Sequence, residues 1–122
     1  MRSIAIIGAS ANKEKFGNKC VRVYKDLGWK VFPINPVEKA IEGVKCYSSI
    51  NDVPEKPDLV SIYIPSKVTL TLLEDFKKIG LKEVILNPGA ESEELIAALQ
   101  KAGIKSKLVC SIRMQGISPE DY

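Results

Sequence analysis

Ile4-Ala5-Ile6-Ile7 is a nearly unbroken apolar run that Gly8-Ala9-Ser10 stops at once, and this junction constrains the fold more than any other stretch. Apolar residues without polar alternation suit a strand buried on both faces, as in a parallel sheet covered by helices. Glycine lets the chain turn sharply at position 8, and Ala9 and Ser10 are too small to obstruct a group approaching that turn. A helix entered after such a turn aims its free N–H groups and positive dipole end at the strand tip, which makes an anion site. The expectation is a phosphate-cradling turn at the head of a doubly wound sheet.

Strand and helix signals alternate from there. Asn18 is placed to cap a helix running to about Leu27, with Val21, Tyr24 and Leu27 on one face and Gly28 as its stop. Trp29 to Pro36 reads as the second strand, closed by Asn35-Pro36. Val37 to Lys56 has no strong period, but Gly43 to Ser48 can hold an extended piece and Ile50 to Val53 a helical turn. Leu59 to Ile64 is a third strand. Val68, Leu72, Leu73, Phe76 and Ile79 carry helical spacing up to Gly80, and Glu83 to Leu86 is a fourth strand. Ser92 caps a helix over Glu93 to Ala102, closed by Gly103, and Ser106 to Cys110 is the last strand. The polar tail from Ile112 to Tyr122 carries no assignable pattern. This order predicts an α/β fold, a doubly wound, mainly parallel five-stranded sheet with helices on both faces. A length of 122 residues predicts one domain over residues 1–122.

Composition narrows the function. No apolar run approaches the roughly 20 residues that span a bilayer, and the first strand starts too early to leave room for a signal peptide, so the expected setting is cytoplasmic, without a membrane partner. The net charge is +3, and the lysines are scattered rather than interleaved with aromatics, which gives no support for a nucleic-acid partner. Cys20, Cys46 and Cys110 match neither a zinc spacing nor a disulfide framework, and they read as packing residues. With no histidine in the chain, the commonest general base and transition-metal ligand is missing.

In a doubly wound sheet ligands bind past the C-terminal ends of the strands, where strand order reverses. Four such ends carry small, kinked or polar residues: Gly8-Ala9-Ser10, Asn35-Pro36, Pro65-Ser66 and Asn87-Pro88-Gly89. The dinucleotide pattern G-x-G-x-x-G is broken, since Ser10 replaces the second glycine and the next is Gly17. The acidic residue that an NAD site expects at the end of the second strand is absent, while Lys13, Lys15 and Lys39 lie near. A ligand with a phosphate on its ribose suits that better than NAD. Ile64, Pro65, Leu86 and Pro88 offer a flat apolar wall for an adenine ring. Glu91, Glu93 and Glu94 read as helix-start carboxylates.

Ile6-Ile-Gly-Ala-Ser10, Lys15-Phe-Gly-Asn18, Val31-Phe-Pro-Ile-Asn-Pro36, Ile62-Tyr-Ile-Pro65 and Asn87-Pro-Gly-Ala-Glu91, in that order, resemble the small CoA-binding domain proteins. These are relatives of the nucleotide-binding domain in the α subunit of succinyl-CoA synthetase. The resemblance implies a Rossmann-like fold that holds coenzyme A by its ADP end. It implies that Gly8, Ala9, Ser10, Ala11, Asn12 and Lys13 hold the pyrophosphate and that Lys39 reaches a CoA phosphate. Ile64 and Pro65 would line the adenine pocket, and Leu86, Asn87 and Pro88 would close its other side. Lys15, Phe16, Gly17, Asn35, Pro36 and Gly89 complete the candidate site. The family's Cys-Ile/Val-Met end reads Cys110-Ser-Ile-Arg-Met114 here. The ligase reaction of the larger synthetase needs a histidine and a further domain, and it is not implied. The expected role is a non-catalytic or regulatory CoA-binding module, as a homodimer or with a partner enzyme. The alternative is an NADP-dependent reductase or small acyl-CoA-handling enzyme using Cys20 or Tyr63.

Overall fold

In the computed structural model, which describes residues 1–122, β1 spans Ser3–Ile7 and each of its residues is buried. Helix α1 (Phe16–Asp26) follows, and β2 (Lys30–Ile34) returns beside β1 with Ile4 opposite Val31 and Ile7 opposite Ile34. A two-residue antiparallel hairpin, β3 (Ala40–Ile41) and β4 (Val44–Lys45), precedes a 3-10 turn at Ile50–Asp52. β5 (Leu59–Ile62) then pairs with the other edge of β1. Helices α2 (Ser66–Leu70) and α3 (Leu73–Ile79), β6 (Glu83–Leu86), α4 (Glu93–Lys101) and β7 (Lys105–Lys107) complete the order. The sheet runs β2-β1-β5-β6-β7 with every pairing parallel, the expected Rossmann-like α/β arrangement. Strand order reverses between β1 and β5, which sets the ligand crevice there.

The unalternated apolar run of β1 serves two cores. Ala5 and Ile7 point to one face, with Phe32, Ile34, Val60 and Ile62, against Phe76 of α3 and Leu95 and Leu99 of α4. Ile4 and Ile6 point to the other, with Val31, against Cys20, Val21 and Tyr24 of α1. Each fully buried aliphatic side chain contributes about 1.5–3 kcal/mol by removal from water, so a polar residue in place of Ile4, Ile6 or Ile7 destabilises the fold whichever face it enters.

Several elements differ from the sequence expectation. Helix α1 begins at Phe16 with Lys15 in the cap position, and Asn18 is buried within the first turn. The Asn18 amide is drawn to tertiary partners instead, donating to the Ser10 carbonyl at 2.9 Å and the Glu42 carboxylate at 3.0 Å. The single helix expected over Val68 to Ile79 is two, α2 and α3. At the break the Thr71 hydroxyl donates to the Val68 carbonyl at 2.6 Å, a local bond that competes with helix geometry. The last strand is three residues and ends before Leu108. The unassigned tail forms 3-10 turns at Arg113–Gln115 and Pro119–Asp121. It is held to α1, because Tyr24 donates to the Ser111 carbonyl at 2.7 Å and Lys19 to the Pro119 carbonyl at 3.2 Å. The Ser92 cap is present, its hydroxyl accepting from Leu95 N at 3.1 Å. So is the extended piece after Gly43, where Tyr47 N donates to the Pro33 carbonyl and Asn35 N to the Tyr47 carbonyl, covering the free edge of β2.

Candidate functional site

Gly8 leaves β1 with φ of +92°, and a Cβ there would lie 2.9 Å from Ile64 Cγ2 and 3.2 Å from the Tyr63 carbonyl carbon. Only glycine meets both demands. At Gly17 the demand is packing: a Cβ would lie 2.2 Å from the Gly8 carbonyl oxygen, so α1 starts directly against the turn. The distant Gly17 thus performs the close helix–strand approach that the broken glycine pattern left unassigned.

Between these glycines the loop is folded on itself by local bonds. The Ser10 hydroxyl accepts from Asn12 N, the Asn12 side-chain oxygen accepts from Glu14 N, and Lys15 N donates to the Asn12 carbonyl. Its carbonyls are tied inward. Asn35 Nδ2 donates to the Ala9 carbonyl at 2.9 Å, Asn18 Nδ2 to that of Ser10, and Arg22 to that of Lys13 at 2.9 Å. Arg22 in turn donates to Asn18 Oδ1 at 2.7 Å. The main-chain N–H groups of Ala9, Ser10, Ala11, Phe16 and Gly17 have no acceptor within the chain. With carbonyls bound and amides free at the start of an 11-residue helix, the loop presents a net positive surface.

The loop opens on a cleft of about 690 Å³ at the reversal of strand order. Of the candidate residues, Gly8, Ala9, Ser10, Lys15, Phe16, Gly17, Asn35, Pro36, Ile64, Pro65 and Pro88 line it. The structure does not bring the others there. Ala11, Asn12 and Lys13 are exposed and do not line the cleft, and Lys39 is exposed beyond β2. Leu86 is in the core. Gly89 is exposed, its N–H donating to the Glu91 carboxylate. Asn87 is 1% exposed and bonded on every side. Its Nδ2 donates to Ser61 Oγ at 2.8 Å and the Ile62 carbonyl at 2.9 Å, and its Oδ1 accepts from Ser111 N at 2.8 Å. With Ser61 Oγ 2.6 Å from Ser111 Oγ, it joins β5, the end of β6 and the tail beneath the cleft.

The lining also includes Ile7, Ile34, Ser48, Ser49, Ile50, Tyr63, Val68 and Leu72, which sequence reasoning left out of the site. Val68 and Leu72 carry helical spacing, which does not by itself mark a place in the cleft. Ser48 to Ile50 gave no local signal, since it reaches the cleft only through pairing of Tyr47 with the edge of β2. Lys15 is the one charged lining residue, and the lining has no carboxylate or thiol. Neither proposed nucleophile is ionised at neutral pH. Burial pushes the Cys20 thiol from its ordinary value near 9.0 up to about 12. Burial, and then the neighbouring Cys20 thiol, raises the Tyr63 phenol as well, and its hydroxyl lacks a well-formed hydrogen bond.

A family model described as a CoA binding domain matches residues 2–112, so it spans the turn, the cleft and all five strands. The chain belongs to that family. It is 39% identical over 92 residues, 75% of its length, to an ADP-forming acetate–CoA ligase of Methanocaldococcus jannaschii. That match spans 13% of the ligase, so this CoA binding domain corresponds to a small part of its longer relative. Among solved structures, a conserved hypothetical protein from Pyrococcus furiosus superposes with a TM-score of 0.82 at 38% identity, covering 88% of this chain and 93% of that one. The dinucleotide forming acetyl-coenzyme A synthetase 1 of Ca. Korarchaeum cryptofilum, in complex with phosphate and ADP, superposes with a TM-score of 0.73 at 32% identity, over 85% of this chain and 25% of that one. No helix is long and apolar enough to cross a membrane.

Proposed function

We propose that this CoA binding domain holds coenzyme A in the cleft with the diphosphate on the Gly8–Gly17 loop, as a binding or regulatory module rather than a complete catalyst. The carrying observation is the set of free amides at Ala9, Ser10, Phe16 and Gly17, all of which line the cleft, beside Lys15, at the start of α1. Ile34, Ile50, Ile64 and Leu72 supply an apolar bed for the adenine ring. Chemistry on the acyl end would come from a partner enzyme, in keeping with the longer CoA ligases among the relatives. A cytoplasmic setting and association as a homodimer or with such a partner belong to the same proposal.

A thermal-shift comparison of CoA, NADP and NAD tests it. At about 100 times its dissociation constant a ligand stabilises the folded state by about 2.7 kcal/mol, which for a domain of this size raises Tm by about 10 °C. CoA is expected to give that shift, and Lys15→Ala to weaken CoA several-fold with the ligand-free Tm unchanged. A larger shift with NADP, or an unaltered CoA affinity in the variant, would reject the reading.

A further inference from the structure

We infer that the cleft reads the base and the diphosphate but gives a ribose phosphate no fixed partner. Dephospho-CoA, whose ribose hydroxyl is free, is then a ligand of this site on nearly equal terms with CoA. This deepens the proposed function and rests on the same cleft.

In sheets of this kind the ribose lies just past the end of the second strand, here Asn35-Pro36 facing Ser48 and Ser49. The polar groups at that end are neutral and largely committed. Asn35 donates to the Ala9 carbonyl, while its side-chain oxygen accepts from Val37 N at 2.8 Å and Glu38 N at 3.1 Å. Ser48 Oγ donates to the Asp52 carboxylate at 2.9 Å, which sets a negative charge within hydrogen-bond reach of that wall of the cleft. A phosphate dianion there would face a like charge, whereas a ribose hydroxyl meets a neutral wall. Ser49 Oγ accepts from Asn51 N and keeps its proton free to donate to such a hydroxyl.

The cations are elsewhere. Lys15 stands at the start of α1, with the diphosphate loop, and Lys13 and Lys39 are exposed and outside the lining. A phosphate gripped by a desolvated, hydrogen-bonded cation gains tenfold or more in affinity, whereas a single screened surface lysine adds less than about twofold.

Isothermal titration of CoA and dephospho-CoA at about 0.1 M and about 0.5 M salt decides the matter, since surface charge is screened over about 10 Å at the lower concentration. The expected result is CoA favoured by no more than about threefold at either salt, with Lys39→Ala changing that ratio less than twofold. A preference above about threefold, or a twofold or greater change in the ratio in Lys39→Ala, overturns this inference while leaving CoA in the cleft. Failure of both ligands to bind overturns the cleft reading, and this inference with it.

Discussion

Gly17 and Asn87 show how much depends on single side chains here. A Cβ at position 17 would lie 2.2 Å from a backbone oxygen, so Gly17→Ala must push α1 off the Gly8 turn. Overpacking against backbone costs about 1–3 kcal/mol, and the free amides at the start of α1 are displaced with the helix. The variant is expected to lose most CoA binding while still melting cooperatively, and an undiminished CoA-induced Tm shift would take the loop out of the site. Asn87 makes the opposite case. Asn87→Ala strands Ser111 N and frees Ser61 Oγ within a buried network, at a cost of about 1–3 kcal/mol for each polar group left unpaired. It is expected to lower the denaturation midpoint markedly yet change CoA affinity less than about twofold, measured well below its Tm. Its position at a strand end suggested a ligand contact, whereas its burial and its partners across β5 and the tail make it a structural joint.

Among elements, the turn from β1 to α1 is supported from three directions: Asn35 at the end of β2, Asn18 and Arg22 from α1, and the β3–β4 hairpin. The hairpin tip is bound on both counts, Glu42 accepting from Asn18 through its carboxylate and from Lys25 through its carbonyl at 2.6 Å. Glu42 has φ of +51°, a strained value for a non-glycine residue. Asn35→Ala removes the bond to the Ala9 carbonyl and the local turn at Val37 and Glu38. CoA affinity is expected to fall by about tenfold, measured by titration, with an accompanying stability loss of about 1 kcal/mol per hydrogen bond removed. A variant that loses stability but binds normally would mean that the loop keeps its shape without this tie. The β1 strand, the Gly8 stop and the Ser92 cap were legible in the sequence because each rests on neighbours within a few residues. The true start of α1 was not, because the amide of Asn18 is claimed by Ser10 and by Glu42, 24 positions away.

For the molecule as a whole, the core beneath α1 makes stability depend on alkaline pH. Burial first of all raises the Cys20 thiol from near 9.0 to about 12 and the Tyr24 phenol from near 10.0 to about 12. The folded state therefore holds protons that the unfolded chain releases above about pH 9. Stability from these groups is complete below that point and is lost as pH rises toward 12. Urea midpoints are expected to stay level between about pH 7 and 8.5 and to fall from about pH 9 upward, less steeply in Cys20→Ala. An equal slope in that variant would show that the thiol ionises without unfolding.

The α/β class, the strand sequence and the glycine turn after β1 follow from local pattern, since apolar runs, turn glycines and caps act over a few residues. Their order along the chain also carried the family resemblance, which the match over residues 2–112 bears out. The cleft itself did not follow from local pattern. Ser48 to Ile50 arrive through a bridge to the edge of β2, Val68 and Leu72 through a break between α2 and α3, and Asn87 is withdrawn from the cleft by partners 24 to 26 residues away. Those placements depend on which strands lie side by side and which buried polar groups must find one another. Distant pairings of that sort leave no periodic trace along the chain.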